Sequence, residues 1–213
     1  MTAAQRIVNT DPIDPQDSVR ADFYGLLGHL FYAAPDAGLL RALADSGELD
    51  AEASGAGLPV AWNVLRRASG EATAEAVRAE YDDTFIGVGK PKVMLYASYY
   101  LAGFLNEKPL AELRDDLSAL GLARSGEAKE PEDHLSGLVD VMRQLILDER
   151  SAQAEREAAQ QRFFFRYIEP CYGRLCDAIE DSTEVVFYRS VAGFARAFLD
   201  VEKEFFTIGQ LSS

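Results

Sequence analysis

The chain has 213 residues, of which 48% are hydrophobic, enough to bury one substantial core. It carries 21 Lys and Arg against 35 Asp and Glu, a formal net charge of −14 at pH 7. Because so acidic a surface repels phosphate backbones, nucleic-acid binding is disfavoured and basic peptides are expected partners. The sequence shows neither a signal-peptide core nor an apolar run of membrane-spanning length, so we expect a cytoplasmic protein without stable membrane insertion.

The first part of the chain alternates helical patterns with short breaks. Residues 1–16 are polar and contain two prolines, which predicts a flexible N-terminal arm. Apolar residues then recur at helical spacing from Val19 to Phe31, and Pro35 ends this helix. Further helical patterns follow, with a Gly-rich loop between the first two, over residues 36–46, 59–69 and 70–85.

Residues 86–94 break this rhythm, because their glycines and proline predict an irregular connection. Helices are predicted to resume within residues 97–106 and 108–121. Residues 121–130 have the composition of a linker. The linker divides the chain into two possible halves, 17–120 and 131–213, which we expect to share one core.

The second half is helical throughout. An apolar face runs from Leu135 to Ile146, and helical patterns follow over residues 151–168 and 169–181. A last helix near residues 184–206 places these apolar residues on one side: Phe187, Val191, Phe194, Phe198, Val201 and Phe205. No segment alternates with the period of a strand. We therefore predict an all-α fold, one compact helical domain over residues 17–213 with roughly nine or ten helices.

Residues 130–134 concentrate a proline, three carboxylates and one of the two histidines of the chain. A helical di-metal site would need a glutamate three residues before each histidine, but Pro131 and Leu26 occupy those positions. Asp133 and His134 would diverge by about a quarter turn on a helix, a poor geometry for an acid–base pair. We predict no catalytic residue and no metal. As a helix start, the segment would put Pro131 in the first turn, with Glu132 and Asp133 at the positive end of the helix.

Two other chemical interpretations are weak. Residues 87–92, "GVGKPK", contain glycines and lysines but lack the spacing of a phosphate-binding loop, so an ordinary turn is favoured and no cofactor is predicted. Cys171 and Cys176 match neither a redox nor a zinc spacing, which favours two buried thiols without a structural disulfide.

Five segments, taken in order, resemble the TorD/DmsD/NarJ family of molybdoenzyme chaperones, also called redox enzyme maturation proteins. The segments are "LLGHLFYAAPD" (26–36), "YDDTFIGVG" with "LYASYYL" (81–101), "EPEDHL" (130–135), "FFFRYIEPCYGRL" (163–175) and "VFYRSVAGFARAFL" (186–199). The chain departs from the family pattern at Pro170-Cys171, where tryptophan often follows the proline. It departs again at Tyr96-Ala97-Ser98, where Trp-Gly-Ser is common. These departures leave the identity of the client enzyme open.

The resemblance implies a cytoplasmic chaperone that binds the twin-arginine signal peptide and the apo catalytic subunit of a molybdenum oxidoreductase until its cofactor is inserted. Such a peptide carries arginines, which pair with carboxylates, and an apolar stretch, which fits a hydrophobic groove. We therefore expect a peptide groove whose polar lip is Glu130, Pro131, Glu132, Asp133 and His134. Its aromatic wall would be Tyr32, Tyr81, Phe85, Tyr96 and Tyr100, with Gly87 and Ser98 shaping the loop. Asp133 and His134 would stand at the mouth of a cleft lined by Tyr81, Phe85 and Tyr96.

Two alternative functions stay open at this point. One is a maturation factor that binds a nucleotide and hydrolyses GTP, and the other is a structural assembly subunit that stays with its partner. The oligomeric state, monomer or homodimer, is not determined by the sequence.

Overall fold

The computed structural model describes residues 13–50, 57–87, 89–103, 107–124 and 129–211. Within these ranges the α-helices are α1 (Pro15–Tyr32), α2 (Ala37–Asp45), α3 (Leu58–Glu71), α4 (Ala74–Tyr81), α5 (Ala97–Ala102), α6 (Glu107–Ala119), α7 (Leu135–Ile146), α8 (Gln153–Phe163), α9 (Glu169–Glu180) and α10 (Phe187–Leu211). Two π-helical turns, Asp82–Ile86 and Phe164–Ile168, follow α4 and α8. The described residues contain no strand beyond one isolated β-bridge, so the all-α prediction is confirmed.

Capping residues set where several helices begin. Asp14 accepts a hydrogen bond from the Gln16 N–H, and Pro15 suits the first turn of α1. Asp36 caps α2 in the same way through the Leu39 N–H. Of the predicted N-terminal arm, residues 1–12 lie outside the described residues. The last two residues of that arm, 15 and 16, already belong to α1.

The predicted irregular connection is present between the π-helical turn and α5. Residue 86 still belongs to the π-helical turn, and the described residues from Gly87 to Leu95 have no regular structure. Gly87 has a φ of 63°, and a Cβ there would lie 2.5 Å from the Lys90 carbonyl oxygen. Only glycine fits so tight a turn.

Helices from both predicted halves interleave around one hydrophobic cluster. α1 packs extensively against α7, while α10 packs against α3 and α9. A Cβ at Gly25 of α1 would lie 3.2 Å from Cδ of Arg143 in α7, so glycine allows the two helices to come close. This pairing joins the start of the first half to the start of the second.

The last helix buries the predicted aromatic face. Phe187, Val191, Phe194 and Phe198 are all buried, and the Phe194 ring packs against Trp62 of α3. The prediction is therefore confirmed for these four positions.

The same face was wrongly extended to Val201 and Phe205, each of which is 45% exposed. The buried stripe continues instead through Glu202 and Phe206. Both a step of three residues from Phe198, to Val201, and a step of four, to Glu202, fit the helical period. The buried face follows the step of four.

Glu202 enters the core because Arg20 of α1 meets it there. The Arg20 guanidinium donates from Nε and Nη2 to the two carboxylate oxygens of Glu202, at 2.7 and 2.8 Å. It also donates to Asp17 and Gln160, while the Tyr24 hydroxyl donates to Glu202. Burial by itself would lower the pKa of Arg20, but the hydrogen bonds and charge of Glu202 outweigh it and raise that pKa. We call these five residues the Arg20 cluster.

A second carboxylate fixes the start of α10 from another helix. Glu80 of α4 accepts hydrogen bonds from the backbone N–H groups of Val186, Phe187 and Tyr188, at 3.0, 3.1 and 2.7 Å. These groups would otherwise lack partners at the helix N-terminus, and the negative charge also suits the helix dipole. Glu80 is therefore a cap supplied more than a hundred residues away in sequence.

Candidate functional site

The segment that precedes α7 is joined to the start of α5. The Leu135 N–H donates to the Leu95 carbonyl at 2.7 Å, and the Ala97 N–H donates to the Asp133 carbonyl at 2.9 Å. These bonds form an antiparallel bridge between Tyr96 and His134. Two regions that the sequence analysis assigned to one site are thus adjacent in space.

α7 begins later than predicted, with His134 as its N-cap. The Ser136 N–H donates to Nδ1 of His134 at 3.2 Å, and the Ser136 hydroxyl lies 2.7 Å from the same nitrogen. Pro131 lies in the preceding turn, where its carbonyl accepts the His134 N–H, so its predicted place in the first helical turn is wrong. Burial lowers the pKa of His134, and the neutral ring is the form whose Nδ1 can accept these bonds.

Asp133 is a buried connector and not an exposed lip. Its side chain belongs to a residue that is 5% exposed, and Oδ2 accepts the N–H of the buried Ser98 at 3.3 Å. The expectation that Asp133 stands at the mouth of a cleft is therefore wrong. The carboxylate is used to fix the first turn of α5.

Tyr96 supports this segment from behind. Its hydroxyl donates to Oε2 of Glu130 at 2.7 Å, and its ring meets the His134 ring edge-on at a centroid distance of 5.2 Å. Partial burial is the main cause that raises the pKa of Tyr96 well above its usual value, and the hydrogen bond to Glu130 adds to it. Glu132 accepts two hydrogen bonds from Arg114, each 3.0 Å long, and this pairing lowers its pKa.

Three of the predicted wall residues, Tyr81, Phe85 and Tyr100, lie in the core. The Tyr81 hydroxyl donates to the carbonyls of Phe31 and Tyr32, and the Phe85 ring packs against the Phe31 ring. The Tyr100 hydroxyl donates to the Met94 carbonyl at 2.8 Å. All three predicted aromatics are buried, so the expected cleft lined by Tyr81 and Phe85 is wrong. Tyr81 instead fixes the end of α1, which carries Tyr32.

Tyr32 and the residues before α7 line a cavity of about 220 Å³. Glu130, Pro131, Glu132 and His134 all contribute to it. Leu117 of α6, Leu122 after it and Val141 of α7 add an apolar surface, and Arg124 and Gln144 also line the cavity. This smaller cavity combines carboxylates with an apolar surface, and Tyr32 is the one predicted wall residue in its described lining.

A larger cavity of about 850 Å³ lies on the other side of Tyr32, between α1, α7 and the start of α2. Tyr32 is 45% exposed and lines both cavities, as do Ser136, Gly137 and Asp140. Sequence reasoning missed Asp140, as well as Asp22 and Arg143 of the larger cavity. No local pattern distinguishes these charged residues from other solvated ones. Their position becomes apparent only once α1 and α7 are paired.

The other groups considered in the sequence, the possible metal ligands, the two cysteines and the "GVGKPK" segment, form no further chemical site among the described residues. Within the described ranges, no cluster of three or more His, Cys, Asp or Glu residues could hold a metal ion. Cys171 and Cys176 are buried in α9, and burial raises the pKa of each thiol to about 12. Lys92 of the "GVGKPK" segment is paired with Asp83 and Glu184, which present negative charge to any phosphate. Among the helices that are described, none is long and apolar enough to cross a membrane.

A model of a known protein family matches more than half of the chain. Residues 51–177, which include the Tyr96–His134 bridge and most of the smaller cavity, match the family model of the nitrate reductase delta subunit. The chain belongs to this family, the TorD/NarJ family. The resemblance found in the sequence is thereby confirmed.

Curated relatives agree with the family assignment. The chain is 30% identical over 134 residues to the chaperone protein TorD of Aliivibrio fischeri, an alignment covering 60% of this chain and 62% of that protein. The TorD of Vibrio cholerae strain ATCC 39541 is also 30% identical over 134 residues, covering 59% and 60%. The TorD of Photobacterium profundum is 27% identical over 138 residues, covering 60% and 62%. The chain thus matches about three-fifths of the length of these relatives.

Proposed function

We propose that this protein is a chaperone that binds the apo form of a molybdenum oxidoreductase and its twin-arginine signal peptide before export. Membership of the TorD/NarJ family and the chaperone names of its relatives support this function. The proposal implies action on the cytoplasmic side of the membrane, where the client is synthesised and receives its cofactor. It assigns the chain a binding role and no reaction.

The observation that carries the proposal is the meeting of two cavities at Tyr32. An exposed aromatic ring at the junction offers apolar contact area, and its backbone is fixed because the Tyr81 hydroxyl binds the Tyr32 carbonyl. Asp140, which lines both cavities, and Glu130 supply carboxylates beside it. A segment with arginines next to an apolar stretch needs this combination.

Hydrogen bonds within the chain hold the side chains of the site in place before a partner binds. Glu130 is oriented by Tyr96, and His134 is fixed by its bonds to Ser136. Because these groups already occupy fixed positions, less conformational entropy is lost when a peptide binds. Asp133 and Ser98 contribute by fixing the bridge, so their role in binding is indirect.

Titration calorimetry tests the proposal. The probe is a synthetic peptide with two adjacent arginines and the following apolar stretch, taken from the signal sequence of a molybdoenzyme of the same genome. Tyr32→Ala should weaken binding at least about tenfold, because an aromatic anchor at the centre of an interface often contributes about 2 kcal/mol or more. Val64→Ala is the matched control, since Val64 is also 45% exposed but lies outside both cavities.

Failure of the wild-type protein to bind the peptide, or the apo client in a pull-down, would refute the proposed function. Equal affinities for wild type and Tyr32→Ala would leave the function intact and move the site away from Tyr32. Asp133→Ala is a poor probe of direct contact, because its buried carboxylate also fixes α5.

A further inference from the structure

The larger cavity is lined by charged residues from two helices that pack against each other. Asp22 belongs to α1, whereas Asp140 and Arg143 belong to α7. Apolar side chains such as Leu26 and Leu39 also line the cavity. A volume of about 850 Å³ falls within the range of roughly 300–1,000 Å³ typical of ligand sites. The cavity is therefore large enough for an extended side chain and the backbone that carries it.

The packing of α1 on α7 determines how these charges are arranged. Gly25 faces Arg143, and Gly28 faces Val139, so the two helices run in opposite directions. Asp22 consequently lies toward the Arg143 end of the cavity, and Tyr32 lies toward the Ser136 end. Asp140 stands between these ends and also reaches the smaller cavity.

Asp140 is the carboxylate best placed for an incoming cation. Its side chain is 50% exposed, and one oxygen accepts a hydrogen bond of 2.7 Å from Gln144 Nε2. Nη1 of Arg143 stands 3.8 Å from the other oxygen, too far for a hydrogen bond. A better-placed guanidinium can therefore replace Arg143 at this oxygen and make a short, charge-assisted bond.

We propose that the arginine-bearing end of the client segment binds in the larger cavity against Asp140, and that Arg143 is the internal cation that it displaces. This inference rests on the proposed chaperone function. The first apolar side chain of the segment then passes Tyr32 and enters the smaller cavity between Leu117, Leu122 and Val141. The two cavities adjoin, because Tyr32 and Asp140 line both.

If the client arginine displaces Arg143 from Asp140, mutations of Asp140 and of Arg143 should change the peptide affinity in opposite directions. Loss of the Asp140 charge removes an attractive partner, so Asp140→Asn should weaken binding of the arginine peptide about tenfold or more. Loss of the Arg143 charge removes a competitor, so Arg143→Gln should strengthen binding about two- to fivefold, the value of a partly exposed ion pair. A residue with only a structural role would not produce this reversal.

The experiment is a double-mutant cycle measured by titration calorimetry with the synthetic two-arginine peptide. Asp140→Asn, Arg143→Gln and the double variant are measured. Asp181→Asn is the control for Asp140→Asn, because Asp181 is exposed, lies outside both cavities and its replacement changes the net charge by the same amount. In the double variant, the gain from Arg143→Gln should vanish. A second peptide with both arginines replaced by glutamine should bind the four variants equally.

The outcomes separate this inference from the proposed function. Tight binding of the peptide to wild type, with Asp140→Asn equal to the Asp181→Asn control, would overturn the inference and leave the chaperone function standing. Weaker binding by Arg143→Gln would also overturn it, because Arg143 would then contact the client directly. If the wild type and all of the folded variants fail to bind the peptide, both the inference and the proposed function are overturned. Circular dichroism confirms the fold of each variant.

Discussion

The Arg20 cluster and the charged lining of the larger cavity use the same residue types for different purposes. In the Arg20 cluster, the guanidinium makes bonds of 2.7–3.0 Å to Glu202, Asp17 and Gln160, and Phe205 lies over it at 4.8 Å. In the cavity, Arg143 and Asp140 stand 3.8 Å apart and are each about half exposed. The first pair is saturated by the chain itself, whereas the second retains capacity for another partner.

This difference separates charges that stabilise the fold from charges that stay accessible to a partner. A buried pair tolerates no removal of one member, because the remaining charge loses its partner in a low-dielectric environment. A half-exposed pair contributes little to stability, because water screens it. Mutations at the two places should therefore differ strongly in their cost to folding.

The largest expected effect is at Glu202. Glu202→Ala should lower the free energy of unfolding by about 2–4 kcal/mol, because the Tyr24 hydroxyl loses its acceptor and Arg20 keeps only Asp17 and Gln160. Urea denaturation measures the loss, and Glu204→Ala on the exposed side of the same helix is the control. A loss below 1 kcal/mol would mean that water reaches Arg20, and that the Arg20 cluster resembles the Asp140–Arg143 pair in its contribution to stability.

A second saturated carboxylate should show an intermediate effect. Glu80→Ala removes the acceptor of three backbone N–H groups at the start of α10 and should cost about 1–2 kcal/mol of unfolding free energy. Glu80→Gln should cost less, since its amide oxygen still accepts. The same denaturation midpoints compare the two variants, and equal losses for both would refute the cap as the cause.

A pH titration examines the buried histidine beside the cavity. Since burial lowers the pKa of His134 below its usual 6.5, the unfolded chain takes up a proton more readily than the folded protein does. The stability associated with the neutral ring is complete above pH 6.5 and is lost as the pH falls through the folded-state pKa. Denaturation midpoints between pH 7.5 and about 5 measure this loss.

His134→Asn is the informative variant for that titration, because asparagine also caps helices and does not titrate. It should flatten the pH dependence in this window. An identical pH profile for wild type and His134→Asn would assign the titration to another group.

The smallest expected effect is at Asp140. Asp140→Asn should change the free energy of unfolding by no more than about 0.5 kcal/mol, because the side chain is half exposed and asparagine keeps the acceptor for Gln144. Thermal denaturation checks this. A large loss of stability would erase the contrast with the Arg20 cluster and make Asp140 a structural residue.

Helical periodicity predicted the fold class and the aromatic face of α10, because both depend on local spacing. It failed beyond Phe198, where Glu202 occupies the buried face and Val201 does not. Glu202 lies four residues from both Phe198 and Phe206, so its position in the apolar stripe was a usable signal. What no local pattern supplied was Arg20, its partner from the other end of the described chain.

The candidate site shows the same limit. The sequence brought residues 130–134 and 96–98 together through the family resemblance, and the structure joins them by a backbone bridge. It did not reveal that Asp133 faces inward to the Ser98 N–H, because the direction of a side chain in an irregular turn depends on the segment opposite. Asp140 was missed because α1 and α7 lie far apart in sequence.

The Arg20–Glu202 pair spans 182 residues, which has a consequence for synthesis on the ribosome. At about 5–20 residues per second, the first helix is translated roughly 10–40 s before its carboxylate partner exists. During that interval Phe23 also lacks the rings of Phe194 and Phe198, which pack against it in the finished fold. The packing of α1 is therefore completed only after α10 has been synthesised.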